Sequence, residues 1–225
     1  MSPPPARQTV EPGALPRHRH AEGYVAVVIA GGYEEAGDAG RRQVSAGDVV
    51  VHRPWEAHLN RTPVAGAQVL NLPLPAGGLT PFGRVDDLDA LVRMARRDPE
   101  EASEHLRGMF RPAAASVADW PDLLAEALAG GDADSLGDWA QRLNLSPEHL
   151  SRGFSRVFGI TPHRFRWEAR SRAALRDLTL TATPLVELAL THGFADQAHL
   201  TRSLRAFSGR TPGAWRKSNP FKTRA

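Results

Sequence analysis

The sequence predicts an α+β chain of two domains: a small antiparallel β-barrel, then linker helices, then an all-helical domain with two helix-turn-helix units. Three observations carry this. Short β-branched runs separated by glycine-rich turns fill the N-terminal part. The hydrophobic period then switches to that of a helix. Finally, the stretch from Asp132 to Ala225 repeats itself and holds the excess positive charge.

The first dozen residues are rich in proline and polar groups and are expected to lack fixed structure. Tyr24 to Ala30 is a continuous apolar, β-branched run closed by Gly31-Gly32. Tyr33-Glu34-Glu35 and Arg42-Gln43-Val44 flank Gly37-Asp38-Ala39-Gly40, a hairpin signal. Val49 to His52 and Ala67 to Leu72 read as further strands. A barrel of this size has little core of its own, so the following helices should pack on it. Domain limits are placed at 1–78 for the barrel, 79–131 for linker and dimerisation helices, and 132–225 for the helical domain. Val85 to Arg97 carries Leu88, Leu91, Val92 and Ala95 at helical spacing. Pro99 opens a helix through Met109, with Glu100, Glu101 and Glu104 near its positive end. Asp119 to Ala129 forms a third, stopped by Gly130-Gly131.

Composition narrows the function classes. The chain of 225 residues has a net charge of +3 and no cysteine. The missing thiols exclude disulfides, thiolate metal sites, iron–sulfur clusters and a cysteine nucleophile. No apolar run approaches the ~18 residues of a membrane span, and the start lacks a secretion-signal core, so a cytoplasmic location is expected. The charge is unevenly spread. Asp132 to Ala225 carries 15 Lys and Arg against 8 Asp and Glu, a net +7, and the preceding segment carries −4. Such asymmetry points to one module that meets a polyanion and one that does something else.

At a shift of fifty residues the basic half echoes itself. His149-Leu150 matches His199-Leu200, Arg152 matches Arg202, and Gly159 matches Gly209. Thr161-Pro162 matches Thr211-Pro212, and Phe165-Arg166 matches Trp215-Arg216. With one residue of slippage, Leu136, Ala140 and Leu145 match Leu185, Ala189 and Phe194. In each unit small Ala140 or Ala189 lets two helices approach closely, a turn follows, and Ser146 or Asp196 caps a second helix. That second helix buries Leu150, Phe154 and Phe158 in the first unit, leaving His149, Ser151, Arg152, Ser155 and Arg156 outside. In the other it buries Leu200, Leu204 and Phe207, leaving Gln197, Ala198, Thr201, Arg202 and Arg205. A helix fits the DNA major groove, where arginine can fork onto guanine, glutamine can pair with adenine, and threonine or alanine can touch a thymine methyl. A connecting helix from Pro162 to Leu178 would hold two such readers about one DNA turn, ~34 Å, apart.

These residues resemble the AraC/XylS family of bacterial transcription regulators, densely from Ser135 to Lys217. The family's second-unit signature is carried by Pro184 to Ala189, then Gly193-Phe194-Ala195-Asp196-Gln197-Ala198-His199-Leu200-Thr201-Arg202, and closes with Gly209-Arg210-Thr211-Pro212. The resemblance implies base contacts at Glu148, Ser151 and Arg152, and at Gln197, Ala198, Thr201 and Arg202. Leu200 and Leu204 stand where the family usually has Phe, and Ser171 where the connecting helix usually has Leu.

At the front, His18-Arg19-His20 and the later Gly47-Asp48 to His58-Leu59-Asn60 resemble the two motifs of a cupin barrel, a common sensor domain of AraC-type regulators. Histidines two apart on a strand point the same way, so His18, His20 and His58 are the candidate metal ligands, suited to zinc or iron. Tyr24 occupies the cupin carboxylate position, so Glu22 or His52 would have to substitute. Glu56 replaces the glycine usual before the last histidine. Trp55 is a candidate pocket-lining or core residue, and Trp139 and Trp215 are core candidates.

The reading that unites these features is a non-enzymatic regulator that binds promoter DNA and is controlled by a small molecule or metal in the first domain, with a homodimer as its plausible assembly. The alternative is a metal-dependent cupin enzyme carrying a DNA-binding domain. DNA-alkylation repair needs an acceptor cysteine and is excluded.

Overall fold

The computed structural model describes residues 4–113, 119–131 and 134–218. Its contacts divide into two units: Met1–Glu126 with Gly137–Thr161, and Ala127–Leu136 with Pro162–Ala225.

The first unit is built on nine strands: β1 (Arg7–Val10), β2 (Gly13–Arg19), β3 (Tyr24–Gly37), β4 (Gly40–Ser45), β5 (Asp48–His52), β6 (Ala57–Thr62), β7 (Ala67–Pro73), β8 (Phe82–Val85) and β9 (Phe110–Pro112). The long β3 serves two antiparallel ladders. Its first half pairs with β5 and β7, and the path runs β1-β7-β3-β5-β8-β9. Its second half pairs with β4 and β6, and β6 pairs with β2.

Three sequence expectations change here. Residues 7–10 are not structureless: β1 adds an edge to β7, and the Asn71 amide donates to Pro5 O at 2.8 Å. Gly31-Gly32 does not end the strand. The register shifts between Val28 and Ala30, Gly31 takes φ +68°, and β3 bends into the second ladder. A Cβ on Gly31 would stand 2.1 Å from Gly66 O, so only glycine fits this close crossing. Third, the sheet is not closed into a barrel: among the described residues the path ends at β1 and β9. The sheet also runs past Gly78, and Val85 belongs to β8 rather than to the helix expected from Val85.

The apolar run of β3 is continuous because both its faces are covered. Val25 and Val27 join Val49, Val51, Leu70 and Leu72 on one face. Helices α1 (Leu88–Ala95) and α2 (Pro99–Met109) cover that face with Leu91, Ala102 and Leu106, as the small sheet required. Tyr24, Ala26 and Val28 turn the other way, against Tyr33, Val44, Val50, Val69 and Phe82. Asp98 caps α2 by accepting from Glu100 N at 2.9 Å and Glu101 N at 3.0 Å, with Pro99 next. Helix α3 (Trp120–Ala129) follows, and Arg41 holds its start by donating to Asp122 at 2.7 and 3.0 Å.

The first helix-turn-helix pair, α4 (Leu136–Arg142) and α5 (Pro147–Phe158), falls almost wholly in this unit. Arg61 of β6 donates to the carbonyls of Arg156 and, at 2.9 Å, Val157, the open C-terminal end of α5. Trp120 rests on Gly153, where a Cβ would meet its ring at 2.5 Å.

The second unit packs α7 (Leu185–Thr191), α8 (Gln197–Ser208) and α9 (Pro212–Lys217) around α6 (Pro162–Leu180). Phe165, Leu175, Leu178, Leu188, Ala189, Phe194, Leu200, Leu204 and Phe207 are buried. Ser171, the residue standing in place of leucine, is fully buried, and its hydroxyl has no hydrogen-bond partner among the described residues. A buried hydroxyl left unsatisfied costs about 1–3 kcal/mol. Ser171→Ala is therefore expected to raise the unfolding free energy by about 1 kcal/mol in urea melts; a drop of that size would show the hydroxyl to be bonded.

Candidate functional site

The second helices of the two units, α5 and α8, are built alike. Ser146 Oγ accepts from His149 N at 3.2 Å, and Asp196 Oδ1 from His199 N at 2.6 Å. Both helices end on a left-handed glycine, Gly159 at φ +74° and Gly209 at φ +75°. Both are preceded by a turn with positive φ, at Asn144 and Gly193. The expected core residues Leu150, Phe154 and Phe158, and Leu200, Leu204 and Phe207, are all buried.

The outer faces are as expected in most positions. Glu148, Arg152, Arg156, Gln197, Ala198, Arg202 and Arg205 are exposed, and Ser151, Ser155 and Thr201 are half-buried. Arginines elsewhere in the basic half are engaged inside the protein. Arg164 pairs with Glu168 at 3.1 Å, Arg166 donates to Asp134 O, Arg170 to Gly193 O, and Arg216 to Thr183 O. The side chains of Arg152, Arg156, Arg202 and Arg205 make no ion pair or hydrogen bond among the described residues. Two positions differ in role. Ser155 Oγ donates to Ser151 O at 2.7 Å, back into its own helix. Glu148 is held below the usual carboxylate range by its own backbone N–H, then by the Ser146 hydroxyl and the Arg152 charge. That is the behaviour of a carboxylate at a helix N-terminus. His199 Nδ1 accepts from Ala195 N at 3.3 Å and meets Phe194 edge-on, a structural post in the turn.

The second feature is a cavity of about 510 Å³ inside the strand unit. Val10, Leu15 and Val69 line it with His18, His20, Tyr24, His52, His58, Asn60 and Asn71. Cross-strand register assembles this set. His18 on β2 stands opposite His58 on β6, Tyr24 opposite His52, and Glu35 opposite Asn60. Gly37, opposite His58, has no room for a Cβ, which would fall 2.9 Å from His58 Cβ.

The three sequence candidates come together: the ring centroids lie 4.3 Å apart for His18–His58, 5.2 Å for His18–His20 and 6.0 Å for His20–His58. Of the two substitutes for the missing carboxylate, Glu22 is exposed and His52 is buried in the cluster. Sequence reasoning missed Glu35. It is buried, with Oε1 at 3.6 Å from His52 Nδ1 and 3.5 Å from His58 Nδ1. Burial alone would raise its pKa; His52 and His58 beside it outweigh this and hold it low. Burial pushes His52 down to about 3, against the pull of Glu35, and His18 down to about 4. Both are neutral imidazoles near pH 7, the form that ligates metals. Trp55 does not line the cavity; at φ +67° it forms the turn in which Glu56 accepts from Arg53 N at 2.9 Å.

Residues 139–218 match the family described as a helix-turn-helix domain. An HTH-type transcriptional regulator of Mycobacterium tuberculosis is 35% identical over 88 residues, 39% of this chain and 34% of that protein. The ornithine utilization regulator of Pseudomonas aeruginosa is 35% identical over 88 residues, 39% of this chain and 26% of that protein. The likeness thus spans at most about a third of the length of these curated relatives. A transcriptional regulator of Chromobacterium violaceum, described as containing an AraC-type DNA-binding domain, superposes with a TM-score of 0.40 at 23% identity, over 43% of this chain and 88% of that one. No helix among the described residues is long and apolar enough to cross a membrane.

Proposed function

We propose that this protein is a sequence-specific DNA-binding transcription regulator whose helix-turn-helix domain reads promoter DNA through α5 and α8. The observation that carries the reading is the pair of similarly capped helices whose exposed arginine side chains make no ion pair or hydrogen bond among the described residues. The relatives, one named as an HTH-type transcriptional regulator and one as an ornithine utilization regulator, support it. Arg152, Gln197, Ala198, Thr201 and Arg202 are assigned to base edges, with Ser151 beside them. Arg156 and Arg205 are assigned to phosphates, which set position rather than sequence. Glu148 is assigned to the helix start, and Ser155, turned inward, to packing.

The cavity is assigned to an effector, a small molecule or a divalent ion. Strand β6 links it to α5. His58 and Asn60 line the cavity, and Leu59 and Arg61 between and beyond them reach Gly159 and the last carbonyls of α5. An occupant that shifts β6 therefore shifts the end of the first reading helix, the differential contact that control requires.

Fluorescence-anisotropy titrations against promoter and random duplexes test the DNA reading. Binding should favour particular promoters and fall with salt, with a slope of about −0.9 per phosphate contact. Arg156→Ala should lower that slope by about 1 while leaving sequence preference unchanged. Equal affinity for every duplex would remove the proposal.

A further inference from the structure

We propose that Glu35, His52 and His58 form a first-row divalent metal site, of two imidazoles and a carboxylate, distinct from the three-histidine set His18, His20 and His58. Donors at about 2.0–2.1 Å from a tetrahedral ion lie about 3.3–3.5 Å from each other. Glu35 Oε1 stands 3.6 Å from His52 Nδ1 and 3.5 Å from His58 Nδ1, and one ligating atom from each of the three residues falls within 4.8 Å of the others. These separations are too long for good hydrogen bonds and match atoms that share an ion.

Three further observations point the same way. Glu35 is 4% exposed, and among the described residues no lysine or arginine pairs with it; its polar neighbours there are the two imidazoles and the Asn60 amide at 3.4 Å. A buried carboxylate needs a positive partner, and an ion between these donors supplies it. His58 is 5% exposed, and its Nδ1 has no hydrogen-bond partner among the described residues. Its other nitrogen, Nε2, lies 3.3 Å from the Tyr24 hydroxyl. With Nε2–H donating to Tyr24, the free lone pair of Nδ1 faces Glu35, the arrangement in which a ligating histidine is oriented through its second nitrogen. His52 is held by stacking on Tyr24, centroids 4.5 Å apart. Tyr24 thus keeps a place in the site at the position where a ligand carboxylate was expected, and Glu35 brings the carboxylate from the far half of β3. Two imidazoles and one oxygen suit zinc or iron(II), with a fourth position open to water or an effector.

This inference is independent of the DNA reading. Its test uses the full chain with zinc alone, in equilibrium dialysis against a chelator buffer and X-ray absorption at the zinc edge. One zinc per chain is expected, with two imidazoles and a carboxylate oxygen in its shell. Glu35→Gln and His52→Gln should each weaken zinc binding at least ~10-fold, and His18→Gln should leave it within about twofold. A shell of three imidazoles overturns the proposal, as does loss of zinc in His18→Gln with retention in Glu35→Gln. Absence of stoichiometric binding by zinc, cobalt(II) and iron(II) overturns it too. The absorption measurement on the unaltered protein decides the matter even if a buried variant does not fold.

Discussion

Replacing Arg152 and Arg202 together by alanine is expected to cost about 2–6 kcal/mol of specific DNA binding. Each arginine that forks onto a base contributes about 1–3 kcal/mol of discrimination. The two stand on different helices and share no partner among the described residues, so their effects should add. That corresponds to a loss of roughly 30-fold to more than 10,000-fold in promoter affinity. Affinity for random duplex should fall much less, because other arginines still meet phosphates. Anisotropy titrations on both duplexes separate the outcomes. A uniform loss across all sequences would mean that both residues contact phosphate and that the bases are read from Ser151, Gln197, Ala198 and Thr201.

Phe154→Ala is expected to lower the unfolding free energy by about 3–5 kcal/mol. Phe154 has no exposed surface and packs against Phe158 with ring centroids 4.7 Å apart and planes tilted by 32°. Its removal leaves a cavity under α5 that a helix fixed at its end by Arg61 and crossed at Gly153 by Trp120 cannot close. Chemical denaturation followed by circular dichroism reads the change. The same substitution should abolish promoter binding at 37 °C without touching an exposed residue. A loss below about 1 kcal/mol would show that α5 repacks, and so that the sheet does not hold it.

The helical half was legible because its signals are local. Caps at Ser146 and Asp196, left-handed glycines at Gly159 and Gly209, and apolar residues at helical spacing act within a turn of the chain, and each appears where the fifty-residue repeat put it. The same holds for α2, which begins at Pro99 and ends at Met109 as read. The strand half was legible only in part. Gly31 read as a stop because glycine ends many strands; here its positive φ bends the strand instead, and the partner that makes this stable, Gly66, lies far along the chain. Residues 7–10 carry too little apolar character to announce an edge strand that β7 accepts.

The sequence by itself determined a duplicated helix-turn-helix with arginines at corresponding positions, a charge divided between two halves, and histidines 18, 20 and 58 brought to one place. Only the tertiary structure decided that the sheet stays open, that α5 is tied to β6 through Arg61, and that Glu35 completes the histidine cluster. The physical reason is register. Glu35 reaches His58 because β3 bends at Gly31 and then pairs Gly37 with His58 and Glu35 with Asn60. A slip of one residue would turn Glu35 to the opposite face, and no local pattern in Tyr33-Glu34-Glu35 tells one glutamate from the other.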